Sequence, residues 1–313
     1  MIFSESWVYI GDMFRHPQAT LEEGGPGIME TPNLQRVGDK DIVFFSVQRK
    51  NGEGPLKGFQ HREGIQYFVG KFDSKTGKFT ADSDIPQYFE YGRAFYAINA
   101  TPTPSLTGGK EATFVGWIKE HDVRTDWRDV ENRGWNGALT FPRTMKWTNE
   151  HLVTGFDQRL NKLHRKEFET NSLLSLNSDY HVTKVKGRSL HLTLGLSVET
   201  QTEAKSAAKA KISLLADVNQ PENSVSVVFD GKSICIIDEC LPLRKKGRFH
   251  NKKKVEVDIL LDRSVIVSFV EGRSLTKVIT PPRNDKGVLL DGVVLQALNG
   301  TATFTDFKAY SLK

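Results

Sequence analysis

The sequence Leu190-His191-Leu192-Thr193-Leu194-Gly195-Leu196-Ser197-Val198 alternates an aliphatic residue with a polar or small one at every step. A β-strand with one buried face requires this alternation, because successive side chains point to opposite faces of a sheet. Residues 255–259 and 265–269 repeat the pattern. Turn signals separate these runs at Asp230-Gly231, Glu271-Gly272 and Asn299-Gly300. The C-terminal part of the chain is therefore predicted to be an antiparallel two-sheet sandwich.

The N-terminal part is also predicted to consist of short β-strands. Clear cases are 41–47, 65–72, 95–100 and 113–118, each bounded by turn chemistry such as Ser74-Lys75-Thr76-Gly77. Strands at this density, with recurring aromatic residues, are typical of a β-propeller or a sandwich. A charged stretch at 157–170 interrupts the pattern. We place a domain boundary there, which gives predicted domains of residues 1–165 and 166–313.

The composition restricts the classes of function. The 313 residues carry 43 Lys and Arg against 38 Asp and Glu, a net charge of +5 that is too small to require a polyanionic partner. The basic run at 244–254 is predicted to be a solvated hairpin loop rather than a nucleic-acid-binding patch. No apolar run approaches the roughly 18 residues of a membrane span, and the first residues lack a signal-peptide pattern. We expect neither a nucleic-acid nor a membrane partner, and the localisation is left open.

The spacing of the cysteines and histidines predicts neither a disulfide nor a metal site. Cys235 and Cys240 lie five residues apart in an apolar stretch interpreted as a strand and its end, where an odd separation points side chains to opposite faces. The two cysteines have no His or Cys partner at metal-ligand spacing, and the eight histidines form no H-x-x-x-H pair. Bound metal is not expected.

Two segments about a hundred residues apart carry candidate chemistry. They are Met29-Glu30-Thr31-Pro32-Asn33-Leu34 and Arg133-Gly134-Trp135-Asn136-Gly137-Ala138-Leu139-Thr140-Phe141-Pro142-Arg143. The first resembles the W-E-C-P-D-hydrophobic signature of glycoside hydrolase family 32, the invertases, inulinases and levanases. The second resembles that family's G-W-x-G-A-hydrophobic-x-hydrophobic-P-R segment. Weaker matches follow in the family's order at 66–73, 90–92, 95–97 and 116–117.

This resemblance implies an all-β fold in which a five-bladed β-propeller is followed by a β-sandwich. At roughly 40 to 50 residues per blade, residues 1–165 supply about three blades, and the motif order implies the last three. Nothing matches the family's upstream N-D-P-N-G nucleophile motif or its R-D-P motif. A three-blade arc leaves sheet edges open to solvent. We therefore expect an incompletely recorded chain or a second polypeptide that completes the propeller.

The resemblance also implies a reaction, namely hydrolysis of β-fructofuranosyl bonds in sucrose or fructans with retention and without a cofactor. Glu30 stands at the position of the general acid/base, which protonates the leaving oxygen and then deprotonates water. Met29, Thr31 and Asn33 replace the family's Trp, Cys and Asp, which predicts a reduced rate. Since no nucleophile is present, the alternative hypothesis is a non-catalytic carbohydrate-binding remnant or a truncated product.

Three further residues are predicted to bind substrate by resemblance. Trp135 is placed at the sugar site, where its face packs against a ring's C–H surface, and the alternative is a propeller-core tryptophan. Glu90 and Tyr91 fall at the family's D-x-G-like position near the substrate, and the alternative is a strand-entry turn. The sequence does not distinguish sucrose from inulin or levan, or hydrolysis from fructosyl transfer.

Overall fold

The computed structural model describes residues 8–15, 28–48, 64–102, 111–119, 137–148, 151–200, 206–245, 248–249 and 254–313. Within these ranges the strands form two meander sheets, a two-sheet sandwich and one small hairpin. The predicted all-β class is confirmed, with one short 3₁₀ helix as the exception in the described ranges. In the same part of the chain no helix is long and apolar enough to cross a membrane.

The first meander sheet is antiparallel and has the order β1-β2-β3-β4, with β5 paired to β3. Its strands are β1 (Ile28–Val37), β2 (Lys40–Gln48), β3 (Gly64–Asp73), β4 (Lys78–Ala81) and β5 (Gln87–Tyr88). The segment 8–15 lies against this sheet, where the Phe79 N–H donates to the Met13 carbonyl at 2.9 Å and Phe14 packs 5.0 Å from Phe68.

The second meander sheet has the order β10-β9-β7-β6, with β8 paired to β7. Its strands are β6 (Phe95–Pro102), β7 (Glu111–Ile118), β8 (Ala138–Leu139), β9 (Arg143–Thr148) and β10 (His151–Phe156). A four-stranded antiparallel meander is the unit of a propeller blade. The described residues hold two such units, so the predicted count of about three blades stays a prediction.

A 3₁₀ helix, Gln158–Leu163, follows the second sheet and is capped by Asp157, whose side chain accepts from the Arg159 N–H. This helix confirms that the strand pattern is interrupted after residue 157. Sandwich strands begin at β11 (His164–Glu167), which lies across the predicted boundary between 165 and 166. The division into domains at that position stays a prediction.

The sandwich consists of two antiparallel sheets. The first has the order β11-β25-β14-β21-β22-β23, with β12 paired to β25, and the second has the order β13-β24-β15-β16-β17-β18. A separate small hairpin pairs β19 with β20. The bounds are β12 (Leu173–Asn177), β13 (Tyr180–Lys186), β14 (Ser189–Glu199), β15 (Lys209–Ala216), β16 (Val225–Phe229), β17 (Ser233–Ile236), β18 (Glu239–Pro242), β19 (Arg244–Lys245), β20 (Arg248–Phe249), β21 (Lys254–Asp262), β22 (Val265–Val270), β23 (Arg273–Val278), β24 (Gly292–Leu298) and β25 (Thr301–Leu312).

The first sandwich sheet is covered on both faces, which explains why all six residues of β22 are buried. Ile266 and Val270 point into the sandwich core, whereas Val267 and Phe269 pack against the meander sheets. We call the second set of contacts the interface core. It joins residues of both meander sheets to the outer face of the sandwich, and its phenylalanines are Phe44, Phe89, Phe95, Phe114 and Phe269. Each such phenylalanine contributes about 1.5 to 3 kcal/mol by burial.

The turn between β22 and β23 fastens the sandwich to the second meander sheet. Glu271 and Gly272 both have positive φ, as a tight hairpin turn requires, which confirms that turn signal. The Gly272 carbonyl accepts from the Thr154 N–H at 2.7 Å. A Cβ on Gly272 would lie 2.5 Å from the Val153 side chain, so glycine is needed here for close approach as well as for the turn.

The prediction that Cys235 and Cys240 form no disulfide is wrong, since the structure joins them by one. The prediction treats the stretch that holds both cysteines as a single strand and its end. In fact a turn at Ile237 and Asp238 separates β17 from β18, and the hairpin register pairs Cys235 directly with Cys240. Directly opposed residues of a hairpin share a face, because the turn reverses the chain between them. Their Cα atoms are 4.0 Å apart.

Candidate active site

Glu30 lies on β1 at a β-bulge. The register with β2 shifts between Glu30 and Asn33, and Thr31 has a φ of 48°, which is unusual for a β-branched residue. The Thr31 hydroxyl lies 3.1 Å from the Ser46 hydroxyl on β2, and this contact fastens the distorted backbone to the neighbouring strand. Bulges re-aim side chains and are frequent beside active sites. The half-buried Glu30 side chain is thus held on an irregular, fixed piece of backbone.

Tyr96 on β6 binds the Glu30 carboxylate. Its hydroxyl donates to Glu30 Oε2 at 2.6 Å, a short distance typical of a hydrogen bond to a charged acceptor. The backbone is irregular here too, because Ala97 has a φ of 49° and the register with β7 shifts after Tyr96. The Ala97 N–H donates to the Ser46 hydroxyl at 2.9 Å. Ser46 therefore links the two irregular segments that carry Glu30 and Tyr96.

An aromatic and cationic wall continues from Tyr96. Trp117 meets its ring edge-on at 6.2 Å, and the buried Lys119 ammonium lies 4.8 Å from the ring centroid, within cation–π range. Gly137 closes this wall with a φ of 80°, and a Cβ there would lie 2.2 Å from Trp117 Nε1. Trp117 keeps 39% of its surface exposed. A half-open aromatic face beside the tyrosine that binds a carboxylate is a surface on which a sugar ring can pack.

Trp135, the predicted sugar-stacking residue, lies outside the described residues. Its motif is described from Gly137 onward, and Gly137 packs against Trp117 in the wall beside Tyr96. The predicted contact between Trp135 and substrate stays a prediction.

Glu90 is fully buried at the junction between the second meander sheet and the sandwich. Its Oε2 accepts from Arg143 Nη1 at 2.9 Å and from the Ser274 hydroxyl at 2.6 Å. Tyr91 is buried in the sandwich core, and its N–H donates to the Ser274 carbonyl at 3.1 Å. A Cβ on Gly92 would lie 1.9 Å from the Thr276 carbonyl oxygen. These contacts favour a structural role for Glu90 and Tyr91, and their predicted contact with substrate stays a prediction.

Arg143, the last residue of the second motif, completes this junction. Its guanidinium is fully buried, donates to Thr276 Oγ1 at 2.8 Å and lies over the rings of Phe95 and Phe269 at 4.7 and 5.6 Å. Burial lowers the pKa of Arg143, while the Glu90 carboxylate acts in the opposite direction. One fully buried ion pair therefore joins segment 90–92 to the end of the second motif, away from any open surface.

Sequence reasoning singled out Glu30 but not Tyr96 or Ser46, the residues that hold it in place. Tyr96 stood in the matched segment 95–97, which was the available signal. Within the described ranges, no three His, Cys, Asp or Glu side chains lie together so that they could hold a metal ion.

A family model described as the glycosyl hydrolases family 32 N-terminal domain matches residues 4–155. The levanase of Bacillus subtilis (strain 168) is 28% identical over 124 residues, which are 38% of this chain and 17% of that protein. The solved sucrose-6-phosphate hydrolase from Lactobacillus gasseri superposes with a TM-score of 0.67 at 15% identity over 94% of this chain and 56% of that one. The exo-inulinase from Aspergillus awamori gives 0.66 at 20% identity over 92% and 57%.

Over residues 4–155 the chain resembles glycoside hydrolase family 32. This resemblance confirms the recognition made from the two motifs, and the structural matches confirm the fold of a β-propeller part followed by a β-sandwich. The chain spans little more than half the length of these solved structures and 17% of the levanase. Glu30, Tyr96, Glu90 and Arg143 all lie in the part that the family model matches.

Proposed function

We propose that the protein is a glycosidase of the β-fructofuranosidase type that hydrolyses sucrose or fructans with retention, and that Glu30 is its general acid/base. The observation that carries the proposal is the fixed position of Glu30, held at a bulge by the hydroxyl of Tyr96, whose ring in turn meets the half-exposed Trp117. The similarity to a levanase, an exo-inulinase and a sucrose-6-phosphate hydrolase supports the substrate class.

The hydrogen bond from Tyr96 assigns different tasks to the two oxygens of Glu30. Oε2 accepts from the tyrosine hydroxyl, and it keeps that role whether or not the carboxyl group is protonated. Oε1 is then the oxygen that carries the proton to the leaving glycosidic oxygen. In the second half of the reaction the same oxygen removes a proton from the attacking water.

Retention also requires a second carboxylate about 5 to 5.5 Å from the first, which attacks the anomeric carbon. We propose that this nucleophile comes from a segment outside the present sequence or from a second chain that completes the propeller. Trp135 is proposed to pack on the sugar ring.

Two measurements test this function. The intact mass of the protein from its source shows whether a segment with the nucleophile precedes these 313 residues. Release of fructose from sucrose, inulin and levan is then measured for the native protein, for Glu30→Gln and for a control, Asp39→Asn, which changes an exposed carboxylate in the same hairpin. We expect Glu30→Gln to lower kcat about 10²- to 10⁴-fold and the control to be unchanged. Full activity of Glu30→Gln would refute the assignment.

The second candidate function is carbohydrate binding without turnover. Asn33 favours it, because it replaces the family's Asp and its buried Oδ1 has no hydrogen-bond partner among the described residues. Such an oxygen is costly to bury, so the altered motif is not optimised around this position. Calorimetric binding of a fructan without release of fructose would favour this function over hydrolysis.

A further inference from the structure

The sandwich contains a cavity of about 150 Å³ that is separate from Glu30. It lies where the edge strand β12 of one sheet faces the edge strand β13 of the other, so one side opens to solvent. Its floor is formed by Leu174, Leu295, Phe304 and Phe307, which belong to or pack on the sandwich core. A cavity of this size with such a floor accommodates one six-membered ring.

The strand β13 breaks the apolar pattern of the sandwich interior at this cavity. Its burial alternates, so His181, Thr183 and Val185 point inward, and Val185 is completely buried. His181 and Thr183 instead line the cavity wall, at positions where a one-sided strand normally carries aliphatic residues. The His181 ring has no hydrogen-bond partner among the described residues, and a neutral imidazole offers one donor and one acceptor.

The mouth of the cavity carries balanced charge. Lys184 Nζ and Glu169 Oε2 form an exposed ion pair at 2.6 Å, and Asn171 adds an amide that both donates and accepts. Because the charged groups neutralise each other, this rim does not select an anion or a cation. Its polar groups suit a neutral ligand with several hydroxyl groups.

We infer that this cavity, the β12–β13 pocket, binds a single neutral sugar ring. The ring's C–H surface lies against the half-buried Leu174, which covers the buried Phe304, and its hydroxyls exchange hydrogen bonds with His181 and Asn171. The size of the cavity admits one ring, so the ligand is a monosaccharide or the end unit of a longer carbohydrate. This binding site goes beyond the proposed hydrolysis at Glu30 and does not depend on it.

The test is a titration of the full-length, leucine-methyl-labelled protein with fructose and with glucose, followed by NMR. We expect saturable shifts of the Leu174 and Leu295 methyl signals with a Kd in the range of about 1 to 10 mM, and no shift of Leu260, which lies in the interface core and not in the sandwich core. The variant His181→Leu is expected to weaken binding about five- to tenfold. A matched control, His151→Leu, changes an exposed histidine on β10 and leaves the Kd unchanged.

Further variants separate the possible outcomes. Leu174→Trp fills the cavity and is expected to abolish the sugar-induced shifts of Leu295. The methyl spectrum of this variant without sugar is expected to be that of a folded protein. Glu30→Gln is expected to keep them, so failure of the pocket and failure of the proposed hydrolysis are told apart. Absence of saturable shifts, shifts that His181→Leu leaves intact, or binding of toluene but of neither sugar would each overturn the inference.

Discussion

The substitution Glu90→Gln is expected to destabilise the whole protein, because it removes the counter-ion of a fully buried guanidinium. At the observed 2.9 Å and an effective dielectric constant of about 20, the pair attracts with about 6 kcal/mol. The hydroxyls of Ser274 and Thr276 continue to accept from Arg143 and offset part of this loss. Breaking one side of a buried pair costs about 3 to 5 kcal/mol in comparable cases, and we expect a loss in that range.

The size of the chain sets how far a given loss of stability lowers the melting temperature. At about 2.1 cal/mol/K per residue, unfolding 313 residues has an entropy of about 0.66 kcal/mol/K, so each kcal/mol lowers Tm by about 1.5 °C. Glu90→Gln is therefore expected to lower Tm by about 5 to 8 °C in differential scanning calorimetry. The control Glu169→Gln breaks an ion pair whose partners are both more than 70% exposed, and no measurable change is expected.

A double variant sharpens this test. Replacing both partners, Glu90→Gln with Arg143→Met, removes the uncompensated charge and keeps an apolar side chain against Phe95. We expect it to be more stable than Glu90→Gln alone. An unchanged Tm in Glu90→Gln, together with weaker substrate binding, would falsify the structural role and restore Glu90 as a substrate contact.

Three further outcomes are expected. Reduction of the Cys235–Cys240 disulfide, or its replacement by serines, is expected to cost about 2 kcal/mol in urea unfolding, and two titratable thiols in the untreated native protein would contradict the bond. Burial, followed by a neighbouring histidine, lowers the pKa of His164, so the folded state favours its neutral form and stability should fall as the pH drops below the ordinary value of about 6.5. His164→Asn should flatten this part of the Tm profile between pH 8 and 5. Tyr96→Phe should lower kcat for fructose release about tenfold with little change in KM, and an unchanged kcat would show that Glu30 does not depend on the tyrosine.

The strands could be predicted from the sequence because their signal is local. Residues 41–47, 65–72, 95–100 and 113–118 lie in β2, β3, β6 and β7, and the alternating run 190–198 lies in β14. Alternation shows that a strand has a buried face, but it does not show which neighbour covers it. The burial of both faces of β22 therefore follows only from the packing of the meander sheets on the sandwich.

The errors and omissions share one cause: each depends on which residues the folded chain brings together, and a local sequence pattern does not show this. Cys235 and Cys240 face each other because a turn intervenes, and the spacing alone did not reveal that turn. Glu90 lies 184 residues from Ser274, so its buried partner could not be read from its own motif. Motif resemblance located Glu30, whereas the Tyr96 hydroxyl that positions it became visible only in three dimensions.

The candidate active site and the buried junction are coupled through β6. Phe95 and Tyr96 are consecutive, so they point to opposite faces of the strand. Phe95 packs under the Arg143 guanidinium, while Tyr96 holds Glu30. A change that loosens the junction therefore also displaces the tyrosine. We expect stability and fructose release to fall together in Glu90→Gln, whereas Tyr96→Phe should lower release and leave Tm nearly unchanged. Loss of stability in Glu90→Gln with undiminished release would show that β6 does not transmit the disturbance.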